Sequence, residues 1–389
     1  MRKILAMAAL AATTVLAAPV LAQQGVSENE VLIGVNGDLS GIFAPFTVQA
    51  LQGAQLRIDE ANETGGVHGR QIRLLVEDHG YQIPRAMANF NKLINSDGVF
   101  AMMMNLGTPM NIAGFPLMDA RGVPNLAPLT GARSMLDGSP LRFAFISFYD
   151  DQTAFGVEHL TDELGLSRVC AMYIPSDFGE AVIAGTRRAV EADEGLTLAA
   201  ETTHKPDEGD FTGALTRLRD EGCELVTLAL GVRQTIIAVS TAKRLGWDDA
   251  VFLGSAAGFH EAIAGQPGGA TEGYYAAAGW VDWKPRADDP DVSEWVEAYR
   301  TRFDADPGLA SILGLSAAEQ LVRALEAAGP DLTTESFLNG MASLDYDDPY
   351  AGIRITYGEG DNHGAEVTVL SVVRDGQFEE VARREAPAE

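Results

Sequence analysis

The sequence is short of the features that mark several large classes of protein. It has two cysteines in 389 residues, Cys170 and Cys223, and no CxxC spacing, so neither a disulfide framework nor a thiolate zinc site is written into it. Positive charge is scarce. The 28 Lys and Arg residues stand against 55 Asp and Glu, a net charge of −27, which repels phosphate and excludes nucleic acid as the main partner. There is no GxxxxGK[ST] loop, no GxGxxG after the first strand, no GxSxG elbow and no HExxH, so the residues for those nucleotide-binding and hydrolytic chemistries are missing. The six histidines (His68, His79, His159, His204, His260 and His363) are scattered without ligand spacing and are expected on the surface or in loops. Acidic clusters at 288–291 and 345–348 lack the glycine and closing glutamate of a calcium loop and read as a helix start or a solvated loop. We expect no metal, no cofactor and no catalysis.

What is present begins with an address. Arg2 and Lys3 precede an almost wholly apolar stretch at 4–18, then Pro19 and a Val-Leu-Ala tripeptide at 20–22. This is the pattern of a secretory signal peptide at 1–22, cleaved after Ala22, and the apolar run is shorter than the ~20 residues a membrane span needs. The mature chain would be 23–389, and losing Arg2 and Lys3 takes the net charge from −27 to −29. The expected location is the periplasm, and the acidity reads as a solvated surface.

Apolar runs of strand length recur at 31–35, 72–76, 99–104, 143–148, 169–174, 196–201, 225–230 and 251–254. They are continuous rather than alternating, as in parallel strands buried on both faces. Between them lie stripes of helical period: Val48, Leu51, Ala54, Leu56 and Ile58; Ala86, Phe90, Leu93 and Ile94; Val182, Ile183 and Val190; Ile236, Ile237, Val239 and Leu245. The alternation predicts doubly wound α/β units with right-handed crossovers. It is run through twice, over 31–129 and again over 143–255. Helices at 291–303, 312–328 and 334–341 follow, then a strand pair, 353–357 and 366–374, with Asp375 and Gly376 as a turn signal. This tail is too short for a third sheet domain and completes the first two. Cys170 opens one strand of the second round and Cys223 precedes another; a disulfide and two buried thiols both remain open.

In open α/β sheets ligands bind beyond the carboxyl ends of the strands, so the loops there hold the candidates. After the first strand comes NGDLSG at 36–41, then IFAPF at 42–46. After the third comes NLGTP at 105–109, where Thr108 reads as an N-cap and Pro109 as the first helical residue. A helix start with free N–H groups and a hydroxyl suits a carboxylate. APLTGA at 127–132 sets a second hydroxyl, Thr130, on a tight turn. By spacing alone a plain cap and a plain turn account for both.

Taken in order, VLIGVNGDLSG at 31–41, Gly53 and Ala54 in the next helix, GGVHGR at 65–70, EDHG at 77–80, GTP at 107–109, PLTGA at 128–132, DFGE at 177–180 and DFT at 210–212 resemble the periplasmic Leu/Ile/Val-binding protein family. These are the solute-binding subunits of branched-chain amino-acid-type ABC importers. The resemblance implies an α/β fold of two doubly wound lobes (periplasmic binding protein type I) joined by three crossovers, with a ligand cleft between them. Lobe one would be 29–147 plus 279–369 and lobe two 148–278 plus 370–385, with crossings near Phe148, Ala278 and Val369. It implies that a ligand carboxylate is held by Thr108 and by the loop of Leu129, Thr130 and Gly131, and that Phe46, Tyr149 and Phe178 line the cleft.

The chain departs from the family at the other end of the ligand. Amino-acid-binding members place a glutamate after the fifth strand of lobe two; here Ala256 stands there, and Gly231 replaces an expected aromatic. Asp150 and Glu261 are the acids that could substitute. A buried ammonium without an anionic partner costs several kcal/mol. The ligand is therefore expected to be a small amino-acid-like or amine-free carboxylate with an apolar or aromatic body. The implied partners are that small molecule and the membrane permease of an ABC importer, and the protein is expected to act as a monomer. A ligand-sensing module of the same fold, signalling to a receptor, is the alternative.

Overall fold

The computed structural model describes residues 23–385, and the expected leader at 1–22 lies outside them. Two separate parallel sheets organise the chain. The first contains β1 (Glu30–Gly37), β2 (Gln71–Asp78), β3 (Ala101–Met103), β4 (Asn125–Leu126) and β5 (Arg142–Phe143), in the order β2-β1-β3-β4-β5. The second contains β6 (Arg168–Tyr173), β7 (Thr197–Thr203), β8 (Leu225–Ala229), β9 (Val251–Gly254) and β10 (Tyr275–Ala278). Their order is β7-β6-β8-β9-β10, the same winding repeated. The predicted double round is thus literal: each half puts its first strand second in the sheet. Burial follows position. Every residue of β3 and β8 is buried, whereas the edge strands β2 and β7 are mostly half-exposed, because an edge strand has a neighbour on one side only.

The tail divides between the halves. After β10 come helices Pro290–Phe303, Leu309–Ala328 and Thr334–Ala342. A hairpin of β11 (Asp345–Asp348) and β12 (Ile353–Thr356) follows, and then β13 (Thr368–Arg374) and β14 (Gln377–Arg384) extend the second sheet antiparallel beyond β10. The expected pairing of 353–357 with 366–374 is corrected: β12 pairs with β11, and β13 crosses to the other sheet. Asp375 and Gly376 do make the β13–β14 turn, both at positive φ. The expected strand 143–148 is also corrected. Only Arg142 and Phe143 pair in the sheet; Ala144 bridges to His363 and the chain leaves toward the second half.

Helix Ala44–Glu63 lies against Leu309–Ala328, and small residues set the distance. A Cβ on Gly53 would stand 2.0 Å from the Ser311 carbonyl oxygen, and one on Gly314 1.7 Å from that of Ala50. The buried stripe is therefore Phe46, Ala50, Ala54, Ile58 and Ala61, while Val48, expected inside, is 43% exposed. Cys170 and Cys223 form a disulfide, Cα–Cα 5.8 Å, because β6 and β8 are neighbours.

The acidic clusters have structural work. Asp289 caps helix Pro290–Phe303 through the Asp291 N–H. Asp348 is buried and accepts from Ser316 Oγ and the Tyr350 and Ala351 N–H groups. Of the histidines expected on the surface or in loops, His79, His204, His260 and His363 do lie outside the helices and named strands but are buried, each tied by a ring nitrogen to a partner.

Candidate functional site

Loops from the carboxyl ends of strands in both sheets meet around one cavity, whose free volume is about 40 Å³. The β3 loop enters at Gly107, whose φ of +96° favours glycine; a Cβ there would also stand 3.2 Å from the Tyr81 ring. Gly107 is the N-cap of helix Thr108–Arg121, so Thr108 is the first helical residue and its side chain makes no cap. That corrects the expected cap. The hydroxyl is instead 2.6 Å from the Thr130 hydroxyl. Two hydroxyls hold two protons, and one is spent between them, so the pair keeps one donor for a third group.

A buried asparagine lattice fixes this pair from behind. The Asn36 N–H donates to Asn105 Oδ1 at 2.9 Å, Asn105 Nδ2 to Asn125 Oδ1 at 2.8 Å, and Asn125 Nδ2 to Asn111 Oδ1 at 3.2 Å. Asn111 Nδ2 in turn donates to the Asn105 and Gly107 carbonyls. All four residues are at most 1% exposed. The carbonyl ends of β1, β3 and β4 are thereby locked to one another, and a network this fully satisfied is stiff. The Leu129 N–H donates to Asn105 O and the Tyr149 N–H to Gly131 O at 2.7 Å, which ties the Thr130 turn to the first crossing.

His79 holds the next segment. Its Nδ1 accepts the Tyr81 N–H at 3.0 Å, so its Nε2–H donates to Leu106 O at 3.1 Å. Burial lowers its pKa and keeps the ring neutral. Asp38 orders the β1 loop by accepting from the Gly41 and Phe43 N–H groups, which delivers Phe43 and Phe46 to the wall.

The second half contributes apolar groups. Phe178 starts helix Asp177–Ala192 and meets Phe43 and Tyr149 edge-on, centroids 5.5 Å apart in each case. Ala256 and Ala257 sit in the turn after β9, held by Gln152 Oε1 accepting the Ala256 N–H at 2.9 Å. A Cβ on Gly231 would stand 3.4 Å from the Ile42 carbonyl oxygen of the first half. Burial raises the Tyr149 pKa.

Seven of the eight residues singled out from the sequence wall this cavity: Phe46, Thr108, Leu129, Thr130, Tyr149, Phe178 and Ala256. Gly131 does not; it acts through its carbonyl on Tyr149. Among the described residues, none in the wall is acidic or basic. Asp150 is engaged by Arg133 and Arg188, and Glu261 by Gln49 and the Leu309 N–H; neither lines the cavity. Sequence reasoning missed Tyr81 and Trp280 in the wall. Tyr81 follows the EDHG stretch at positive φ, an uncommon conformation for a bulky residue, and Trp280 lies just past the second crossing. The signal for both was their place at a strand end or crossing, where cleft residues gather.

A family model described as periplasmic binding protein matches residues 30–377. Among curated proteins, the leucine-, isoleucine-, valine-, threonine-, and alanine-binding protein of Pseudomonas aeruginosa is 22% identical over 311 residues, 79% of this chain and 81% of that one. Among solved structures, a fatty acid ABC transporter substrate-binding protein from Thermomonospora curvata superposes with a TM-score of 0.84 at 26% identity, covering 94% of this chain and 95% of that one. A solute-binding protein from R. palustris in complex with benzoate gives 0.80 at 17% identity, covering 91% and 96%.

Proposed function

The chain belongs to the periplasmic binding protein family, and from that premise we propose that it captures an amine-free monocarboxylate with a compact apolar or aromatic body. Members of the family bind solutes and are not enzymes, and this chain is a solute-binding protein of that kind. Relatives of the same fold are described with amino acids, with a fatty acid and with benzoate, so the fold leaves the ligand open and the chemistry of the wall has to decide.

The observation that carries the reading is the charge-free wall with a hydroxyl pair at one end. The free proton of the Thr108–Thr130 pair, beside the start of a 14-residue helix, suits a carboxylate. Phe43, Phe46, Tyr149 and Phe178 suit an apolar body. Nothing in the wall is suited to an ammonium, whose burial without an anion costs several kcal/mol.

On this reading lobe one (29–147 plus 279–369) takes the ligand first through Thr108 and Thr130. Lobe two (148–278 plus 370–385) then closes with Phe178, Ala256 and Ala257 over the body. A ligand drives closure only through contacts it gains in the closed state. The closed form then docks on the permease of an ABC importer in the membrane and releases the solute unchanged. The test is calorimetry of the purified protein against benzoate, 4-methylpentanoate and leucine. The acids are expected to bind at least about a hundredfold tighter than leucine, the equivalent of some 2.7 kcal/mol. Tight leucine binding with none of either acid would overturn the reading.

A further inference from the structure

Two residues of the cavity wall each carry a polar atom that is unaccounted for. Tyr81 Oη and Trp280 Nε1 are both buried and have no hydrogen-bond partner among the described residues, and both residues line the cavity. Buried polar groups are nearly always paired, and an unpaired one is costly. The hydroxyls of Thr108 and Thr130, by contrast, each have a partner in the other.

Neither group is free to turn away. Trp280 is 1% exposed and packs edge-on against Phe259 at 5.4 Å. Its neighbour Gly279 is pressed against the first crossing, where a Cβ would stand 2.8 Å from the Ser147 nitrogen. Tyr81 is held by His79 through its backbone and packs on Phe43 at 4.9 Å. An indole N–H is a donor only, so whatever satisfies Trp280 must be an acceptor. A phenol can donate to the same kind of atom. A bare hydrocarbon body offers neither group anything.

We propose that Tyr81 and Trp280 form a second polar subsite that selects acids carrying a hydroxyl or keto oxygen on the body over the unsubstituted acids. The inference rests on the amine-free acid reading and narrows it to hydroxy- or oxo-substituted monocarboxylates. It also gives the loss of a glutamate at Ala256 a counterpart, since this wall offers donors where an ammonium would need an acceptor.

The experiment uses shape-matched pairs: benzoate against 3- and 4-hydroxybenzoate, and 4-methylpentanoate against 4-methyl-2-oxopentanoate, by calorimetry on the whole protein. At least one oxygenated acid is expected to bind roughly three- to tenfold tighter than its parent. In Tyr81→Phe, which keeps the ring and removes the hydroxyl, and in Trp280→Phe, which removes the N–H together with part of the indole, that ratio should collapse to within about twofold; thermal unfolding confirms that each variant is folded, and Tyr81→Phe separates loss of the donor from loss of shape. Equal affinities across every pair would overturn the subsite while leaving the acid reading intact, and so would an advantage that survives both substitutions. Binding of leucine with no acid bound at all would remove both together.

Discussion

The two walls of the cavity come from the same topology and differ in chemistry. On the first-sheet side, the ends of β1, β3 and β4 are laced together by Asn36, Asn105, Asn111 and Asn125, and they present the Thr108–Thr130 hydroxyls. On the second-sheet side, the equivalent strand ends present Phe178, Ala256 and Ala257, with glycine at 231. The first half thus brings hydroxyls together with the aromatics Phe43 and Phe46, whereas Phe178, Ala256 and Ala257 bring only apolar surface. Repetition of a fold fixes where the loops lie, and the residues placed on those loops decide which half does which task.

The strongest way to break this asymmetry is to charge the apolar wall. Ala256→Glu sets a carboxylate into a buried turn that faces no cation. Against a carboxylate ligand it is expected to weaken binding by about 3–5 kcal/mol, beyond a hundredfold, because two like charges meet where little water screens them. Benzoate titrations would show it, and a leucine titration should move the opposite way as the ammonium gains a partner. Unchanged benzoate affinity in a folded variant would mean that the wall does not face the ligand.

The next effect is on the polar side. Thr108→Val keeps the shape and removes one of the two hydroxyls. It leaves Thr130 without its 2.6 Å partner and a carboxylate without a charge-assisted bond. The expected loss is about 1–3 kcal/mol, and it should apply to every acid, since all share the head. Calorimetry of wild type and variant side by side checks it; equal affinities would move the head elsewhere.

How much of this could be read from sequence differed between the two walls. The winding was legible because strand runs such as 251–254 are continuous and apolar, and β9 spans those residues. Of the wall residues, Thr108, Leu129 and Thr130 were legible on loops after strands, and Phe46, Tyr149, Phe178 and Ala256 only through the family resemblance. The role of Thr108 was not, since a one-residue shift of the helix start decides whether a threonine caps its helix or bonds a neighbouring loop. The stripe on helix Ala44–Glu63 was misread at Val48 because packing there depends on Gly53 and Gly314, and a search for large apolar residues passes over glycine. The burial of His79 and His363 was missed because their partners are backbone groups brought to them by the fold, Leu106 O and Ile146 O. Tyr81 and Trp280 lie outside any periodic stripe, so nothing in the local pattern separates them from ordinary loop aromatics.

The smallest expected effect concerns neither wall but the contact between the halves. Glu261, in the short helix after β9, accepts the Leu309 N–H at 2.9 Å and bonds Gln49. Leu309 opens the 20-residue helix that packs on Ala44–Glu63, so a carboxylate from the second-sheet side sits at a helix N-terminus of the first-sheet side. Such a charge contributes about 0.3–1 kcal/mol and is screened by salt. Glu261→Gln keeps an acceptor and removes the charge. If the contact forms only on closure, the variant should weaken all ligands by the same factor, roughly two- to fivefold, and leave their ratios untouched. Thr108→Val, by contrast, should act through the head alone and be insensitive to salt. Titrations at low and high ionic strength separate the two: a Glu261→Gln effect that differs between ligands, or that does not shrink with salt, would show that recognition is shared by both halves and not divided between them.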